Sequence, residues 1–249
     1  MNQSASTVRW LTDPPLDGPT NMARDEALLQ RVGGGQSPPT LRFYRWSPAT
    51  ISLGYFQSYQ DFASLPPPAA TLPVVRRQTG GGAILHDQEL TYSLTLPLDH
   101  PLIDKGNPND LYDRVHEGFA AVLGYLGIAV SRGAPPRACS HRGPFFCFEQ
   151  HTCFDLIVNG HKILGSAQRR TKQAVLQHGS LVLGRRHEQQ TCAAVADYCS
   201  VAMDCYLDRL ASAILHDYTG RQDALGPGEL ALADQLRGKY EDPAWTRKR

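Results

Sequence analysis

The stretch Arg76–Leu96, RRQTGGGAILHDQELTYSLTL, gathers residue types with obvious chemical use. Gly80, Gly81 and Gly82 have no side chains to hold a ligand at a distance, and they reach backbone angles that other residues avoid. A triple glycine between strand-like runs reads as backbone that must approach another group closely. Alone, it reads first as a flexible hairpin turn. Arg76, Arg77 and Thr79 on one side and His86 on the other favour close approach, since His86 donates and accepts hydrogen bonds near neutral pH.

A second constellation lies downstream. Asn159-Gly160 is a strong two-residue hairpin signal between the strand-like runs Cys153–Val158 and His161–Ala167. Such a turn pairs Val158 with His161 and Ile157 with Lys162. Side-chain alternation then puts Lys162 on one face with Asp155, Cys153 and Leu164. Between Ile157 and Ile163, a desolvated Lys162 is expected to have a lowered pKa and to act as a base or as an unscreened cation. The competing expectation is a stem laid beside the turn with its ammonium in water.

Cys147 sits between phenylalanines in GPFFCFEQH. Apolar surroundings alone make a thiol inert, whereas a neighbouring ammonium favours a nucleophilic thiolate. Pairing geometry leaves Cys147 and Cys153 both open as the nucleophile, and a passive buried thiol is the other reading for each. Cys139, His141, Cys147, His151 and Cys153 together offer zinc-type ligands, at a spacing that matches no regular zinc pattern. Arg169, Arg170 and Lys172, with Arg185 and Arg186 further on, form a basic run that reads as a solvated face or as a guide for an acidic partner.

The elements that must carry these groups are legible in outline. Thr20 or Asn21 is the expected cap of a helix through NMARDEALLQRV, with Asp25 and Glu26 near its positive end and Gly33–Gly35 ending it. Thr40–Trp46 and Thr50–Phe56 read as strands joined as a hairpin through Ser47-Pro48-Ala49. Leu65–Pro68 is a surface loop, Leu90–Leu96 a strand, and Asp110–Gly127 the clearest helix, with Leu111, Val115, Phe119, Val122, Leu123 and Leu126 on one face. Ser131–Pro144 is irregular, Ala174–Leu183 is a strand, and the remainder to Leu236 reads mostly as amphipathic helix. Hairpins interleaved with helices predict an α+β fold, a single domain over residues 1–249 with helices packed on a mixed β-sheet.

Length and composition agree with that reading. The chain has 249 residues and a formal net charge of +1, which argues against nucleic-acid binding by bulk electrostatics. No run has the apolar length of a membrane span, and the N-terminus lacks the pattern of a secretory signal. A soluble cytoplasmic protein is expected. Its six cysteines are then expected to be free thiols rather than a disulfide framework.

Together with NMARDEALL, RFYRWSPATISLGYFQ, GHKILGSAQRR and LQHGSLVL, the glycine stretch resembles the lipoate/biotin protein ligase and octanoyltransferase superfamily. Within it, the similarity is to the Gram-positive type of octanoyl-acyl carrier protein:protein octanoyltransferase. The motifs run from about Asn21 to Leu183, and the tail DPAW…KR is also similar. The resemblance implies the catalytic-domain fold of that superfamily. It also implies a thiol-based transfer of octanoyl from acyl carrier protein to the lysine of a lipoyl domain, needing neither ATP nor metal.

Counting back from Lys162 to the family's cysteine position, the resemblance selects Cys147 as nucleophile, with Lys162 beside it. This sequence departs from the family pattern in carrying a second cysteine, Cys153. The resemblance further implies that Arg77, Thr79, Gly80, Gly81, Gly82, His86, Gly165, Ser166, Ala167, His178 and Gly179 border a slot for the acyl chain. The glycine loop or the Gly165–Ala167 amides are expected to serve the oxyanion. Rival readings are an ATP-dependent lipoate ligase working through an acyl-adenylate, an amidotransferase between lipoyl domains, and a silent member acting as a binding module.

Overall fold

A computed structural model describes residues 7–103, 107, 109–134, 144–186 and 191–249. The elements in chain order are β1 (Val8–Thr12), α1 (Gly18–Gly33), β2 (Thr40–Tyr44), β3 (Thr50–Leu53), α2 (Tyr59–Ala63), β4 (Val74–Arg76), β5 (Ile84–His86) and β6 (Glu89–Pro97). They continue with α3 (Asp110–Tyr125), β7 (Ser131–Arg132), β8 (Leu156–Val158), β9 (His161–Arg170), β10 (Ala174–Val182), α4 (Leu207–Leu215), β11 (Thr219–Gln222), α5 (Pro227–Glu241) and α6 (Pro243–Thr246).

Among the described residues, eight strands form one sheet in the order β11-β1-β2-β6-β10-β9-β8-β7, and β4-β3-β5 form a second, small sheet. The large sheet is mixed: β1 runs parallel to β2 and β11, and the pairs from β2 onward are antiparallel. The expected α+β fold is therefore the observed one. One face of the sheet, with Phe43, Tyr92, Leu94, Leu164 and Leu181, packs on Val115, Phe119 and Val122 of α3 and on Leu210 and Ile214 of α4.

Local chemistry explains three departures from expectation. Helix α1 is capped by Asp17, whose carboxylate accepts from Thr20 N at 2.8 Å, and not by Thr20 or Asn21. Pro19 in the first turn is preset for the helix. Asn21 instead donates to Leu16 O and Arg45 O. Asp25, one turn further in, is buried against Arg42 at 2.8 Å and serves no cap.

Strands β2 and β3 do not form a hairpin. β2 pairs with β1 and β6, while β3 pairs with β4 and β5 in the small sheet. The connector through Ser47–Ala49 thus carries the chain from one sheet to the other. The stretch from Leu183 to Leu236 is not mostly helix either: among its described residues α4 and the start of α5 are separated by loops, single 3-10 turns and β11 (Thr219–Gln222), which runs parallel to β1. A four-residue edge strand carries too little periodicity to separate from its helical flanks.

Candidate active site

Between the two sheets lies a narrow, partly open cavity, lined from the large sheet by Thr91, Gly165, Ala167, His178 and Ser180 and from the small one by Ser52, Ile84 and His86. Cys147 stands in its wall, half-buried. Its neighbours explain its placement. Phe146 packs into the small-sheet core with Ile51, Leu53 and Leu85, and Phe148 packs with Val182 and Cys192. The buried rings on either side fix the thiol between them. The glycine loop receives this segment edge to edge: Ala83 N donates to Phe145 O (2.9 Å) and Cys147 N to Ala83 O (2.8 Å). A Cβ on Gly82 would lie 2.9 Å from Cys147 N and 3.0 Å from its Cα, so only glycine admits this approach.

Lys162 reaches the same place from β9. The predicted pairs Ile157–Lys162 and Val158–His161 are present around the Asn159-Gly160 turn, where both residues have positive φ. One step further, the register shifts and Leu156 faces Leu164. This bulge sends Lys162 and Leu164 to opposite faces, correcting the expectation that they share one. Leu164 joins the core, and Lys162 turns toward the cavity side.

The Lys162 Nζ lies 3.4 Å from Cys147 Sγ and 3.0 Å from the Asp155 carboxylate, with its side chain 3% exposed. A lysine laid over the turn into water is excluded. The stem fills the space beside Gly165, where a Cβ would sit 2.1 Å from Lys162 Cε.

The direction of the Lys162 pKa also corrects expectation. Burial pulls it down, but negative charge on Cys147 and the Asp155 carboxylate outweigh burial and raise it. Lys162 in the resting site is a cation, not a free base. Asp155 shares the expected face but was assigned no role from sequence. Its carboxylate also accepts from Thr152 N at 2.6 Å. Cys153 lies in this turn, before β8 begins, and is exposed. Cys147 and Cys153 are both free thiols. Cys139 and His141 of the zinc-type ligand set, whose spacing fits no regular pattern, lie outside the described residues, among which no group of His, Cys, Asp and Glu is arranged to hold a metal ion.

The remaining predicted residues divide into cavity wall and support. Arg77, Gly81, His86, Gly165, Ser166, Ala167, His178 and Gly179 line the cavity, whereas Thr79, Gly80 and Gly82 do not. Arg77 is buried and spends its donors on oxygens of the loop and of β3: Nε on Thr79 Oγ1, Nη1 on Ser52, and Nη2 on Gly80 O and Gly82 O, both at 2.7 Å. Burial lowers its pKa to about 10, with Cys147 opposing that shift. Thr79 bridges Arg77 to His178 Nε2 at 2.7 Å, and His178 Nδ1 meets Asp25 at 3.1 Å. His86 is held between Ser52 and Glu89 at 2.8 Å each, under the stacked ring of Trp46. Its pKa is lowered by burial against the pull of Glu89, so it is a wall residue with fixed partners.

Ser166 lines the wall, but its hydroxyl turns toward α3. His116 Nδ1 donates to Phe154 O, so its Nε2 is the acceptor for Ser166 Oγ at 2.6 Å. Tyr92 Oη then donates to Ser166 Oγ at 2.6 Å. Burial pushes the His116 pKa down to about 4. Gly179 makes room for this contact, because a Cβ there would fall 2.3 Å from Ser166 Oγ. Sequence reading missed His116. The available signal was a histidine three residues before Phe119, on the apolar face of α3.

Residues 17–193 match the family described as the lipoyl protein ligase A/B catalytic domain. The chain is 40% identical over 278 aligned positions to the octanoyltransferase LipM of Moorella thermoacetica, an alignment covering 98% of this chain and 99% of that protein. It is 41% identical over 179 positions to the octanoyltransferase LipM of Clostridioides difficile, covering 70% of this chain and 65% of that protein. Among solved structures, protein Ta0514 of T. acidophilum, titled a putative lipoate protein ligase, superposes with a TM-score of 0.79 at 24% identity. That match covers 98% of this chain and all of the other and reports on the fold.

Proposed function

The chain belongs to the lipoyl protein ligase A/B catalytic-domain family, and from that membership we propose that it is an octanoyltransferase of protein lipoylation working through a thioester on Cys147. The donor in this reading is octanoyl-acyl carrier protein, the acceptor is a lysine of a lipoyl domain, and the setting is the cytoplasm. The observation that carries the reading is the Lys162 ammonium 3.4 Å from the Cys147 sulfur, in the wall of a largely apolar cavity.

In the first half-reaction the Cys147 thiolate attacks the carbonyl carbon of the donor thioester. The new C–S bond forms, the old one breaks, and the departing carrier thiolate takes a proton from Lys162. Acylation removes the negative charge that Cys147 contributes to the site. Burial of Lys162 is then opposed by Asp155 alone, which favours the neutral amine left by that transfer.

In the second half-reaction the acceptor amine attacks the acyl-enzyme and forms a C–N bond. The C–S bond breaks with its electron pair on Cys147, and the surplus proton of the amine goes to Lys162. The thiolate–ammonium pair is restored. The cavity holds the octanoyl chain away from water, with Met22, Trp46 and Ile84 in its wall.

Intact-mass analysis after incubation with octanoyl-acyl carrier protein, without ATP, tests the reading. The expected product is one hydroxylamine-labile octanoyl adduct that Cys147→Ser abolishes. An adduct that survives Cys147→Ser and disappears in Cys153→Ser overturns the assignment of the nucleophile. Modification of lipoyl domain only when ATP and free octanoate are supplied overturns the thioester route.

A further inference from the structure

The active-site groups leave unused a cluster of cations beside the glycine loop, assembled from distant parts of the sequence. Tyr55 N donates to Thr79 O at 2.8 Å, which seats residues 55 and 56 against the loop that lines the cavity. Phe56 is 68% exposed there. The C-terminal residues come to the same place: Tyr59 N donates to Arg249 O at 2.8 Å, and the Arg249 guanidinium lies 5.1 Å from the Phe56 ring. Arg247 lies over Tyr59 and Arg169 of β9 over Tyr55. Lys248 Nζ is wedged 3.5 Å from the Tyr55 ring and 3.3 Å from Trp245.

Among the described residues, none of Arg169, Arg247, Lys248 and Arg249 has a carboxylate within ion-pairing distance. Lys248 Nζ also lacks a hydrogen-bond acceptor. Burial first, and then the surrounding Arg76, Lys239, Arg249 and Arg169, pull its pKa down to about 8. By contrast, Arg185 and Arg186 of the sequence-level basic run are paired with Asp197 and Asp87.

We propose that the exposed Phe56, Arg169, Arg247 and Arg249, with the Lys248 ammonium buried beneath them, form the docking face for the acidic carrier domain that delivers the octanoyl thioester. The proposal rests on the octanoyltransferase reading and adds where the donor binds. Charge selects the occupant. A carrier that presents its acyl group on a phosphopantetheine arm brings an anionic phosphodiester and an acidic surface. The acceptor reacts through an amine and brings no such fixed anion on its reacting arm. An exposed aromatic ring ringed by cations has the composition of an interface anchor, and unpaired rim charges act chiefly on encounter.

The test compares three substrates in the full-length protein. Phe56→Ser and the double charge reversal Arg169→Glu/Arg249→Glu are expected to raise KM for octanoyl-acyl carrier protein at least about tenfold and to flatten its salt dependence. KM for the small donor octanoyl-N-acetylcysteamine, and transfer from preformed acyl-enzyme to lipoyl domain, are expected to stay within about twofold. An unchanged KM for the carrier overturns the proposal. So does a rise for the lipoyl domain instead, or an equal loss with the small thioester, which marks a structural effect. A parent protein that forms no hydroxylamine-labile adduct from either donor overturns the octanoyltransferase reading together with it.

Discussion

At the scale of single residues, the site depends on where one ammonium is held. Lys162→Ala removes the cation beside Cys147 and, in the proposed reaction, the proton carrier, so acylation from octanoyl-acyl carrier protein is expected to slow by about 10²-fold or more. In the same variant the rate of iodoacetamide alkylation of Cys147 at neutral pH is expected to fall, because the ammonium 3.4 Å from the sulfur is gone; an unchanged rate removes the electrostatic role. Gly165→Ala isolates position from charge, because the new Cβ would lie 2.1 Å from Lys162 Cε and 2.5 Å from Nζ. The lysine must swing aside, and acylation is expected to fall by roughly 10²-fold with circular dichroism unchanged. His116 acts through its protonation state. Its pKa is about 4 in the folded chain and about 6.5 when unfolded. The stability this adds is complete above about pH 6.5 and is lost as pH falls toward 4, on the order of 3 kcal/mol in all. His116→Gln is expected to flatten that part of the stability–pH curve in urea titrations.

At the scale of elements, the β8–β9 hairpin does the aiming. Its turn requires positive φ at Asn159 (49°) and Gly160 (82°), and a Cβ at Gly160 meets nothing within 4 Å. Gly160→Val therefore carries a backbone cost alone, expected at about 1–2 kcal/mol in equilibrium unfolding, with slower acylation as Lys162 loses its register. A variant as stable and active as the parent would show that the turn does not set the register. The bulge after Ile157 matters as much, since a regular ladder would keep Lys162 on the face of Leu164 and away from Cys147.

At the scale of the whole molecule, the C-terminal segment braces the small sheet at β4. Arg76, fully buried, donates to Thr246 O at 3.0 and 2.7 Å and to Gly54 O at 2.8 Å, while Trp245 Nε1 donates to Arg76 O at 2.8 Å. Deleting residues 242–249 removes Thr246 O from Nε and Nη2 and leaves the buried guanidinium only the Nη1 bonds to Gly54 O, Tyr55 O and Gln57 O. The expected cost is about 3 kcal/mol, a fall in melting temperature of roughly 6–12 °C, with loss of acylation as the adjoining glycine loop loosens. A truncated protein that melts and reacts like the parent would show that the tail supports neither.

The sequence by itself determined what is local or periodic: the amphipathic run of α3, the Asn159-Gly160 turn and its first two pairs, the mixed α+β class, and the glycine loop as a close approach. Its motifs also marked Cys147 and Lys162 as partners. Only the tertiary structure decided which groups meet. The 3.4 Å contact between Cys147 and Lys162 needs a bulge that side-chain alternation cannot show, and the sign of the lysine's shift follows from Asp155 and Cys147 together overcoming burial. His116, the sheet change after Tyr44, strand β11 and the gathering of Arg169 with Arg247–Arg249 were likewise out of reach. Each rests on contacts between residues far apart in the chain, and a linear pattern reports the face a residue takes, not what the fold brings to meet it.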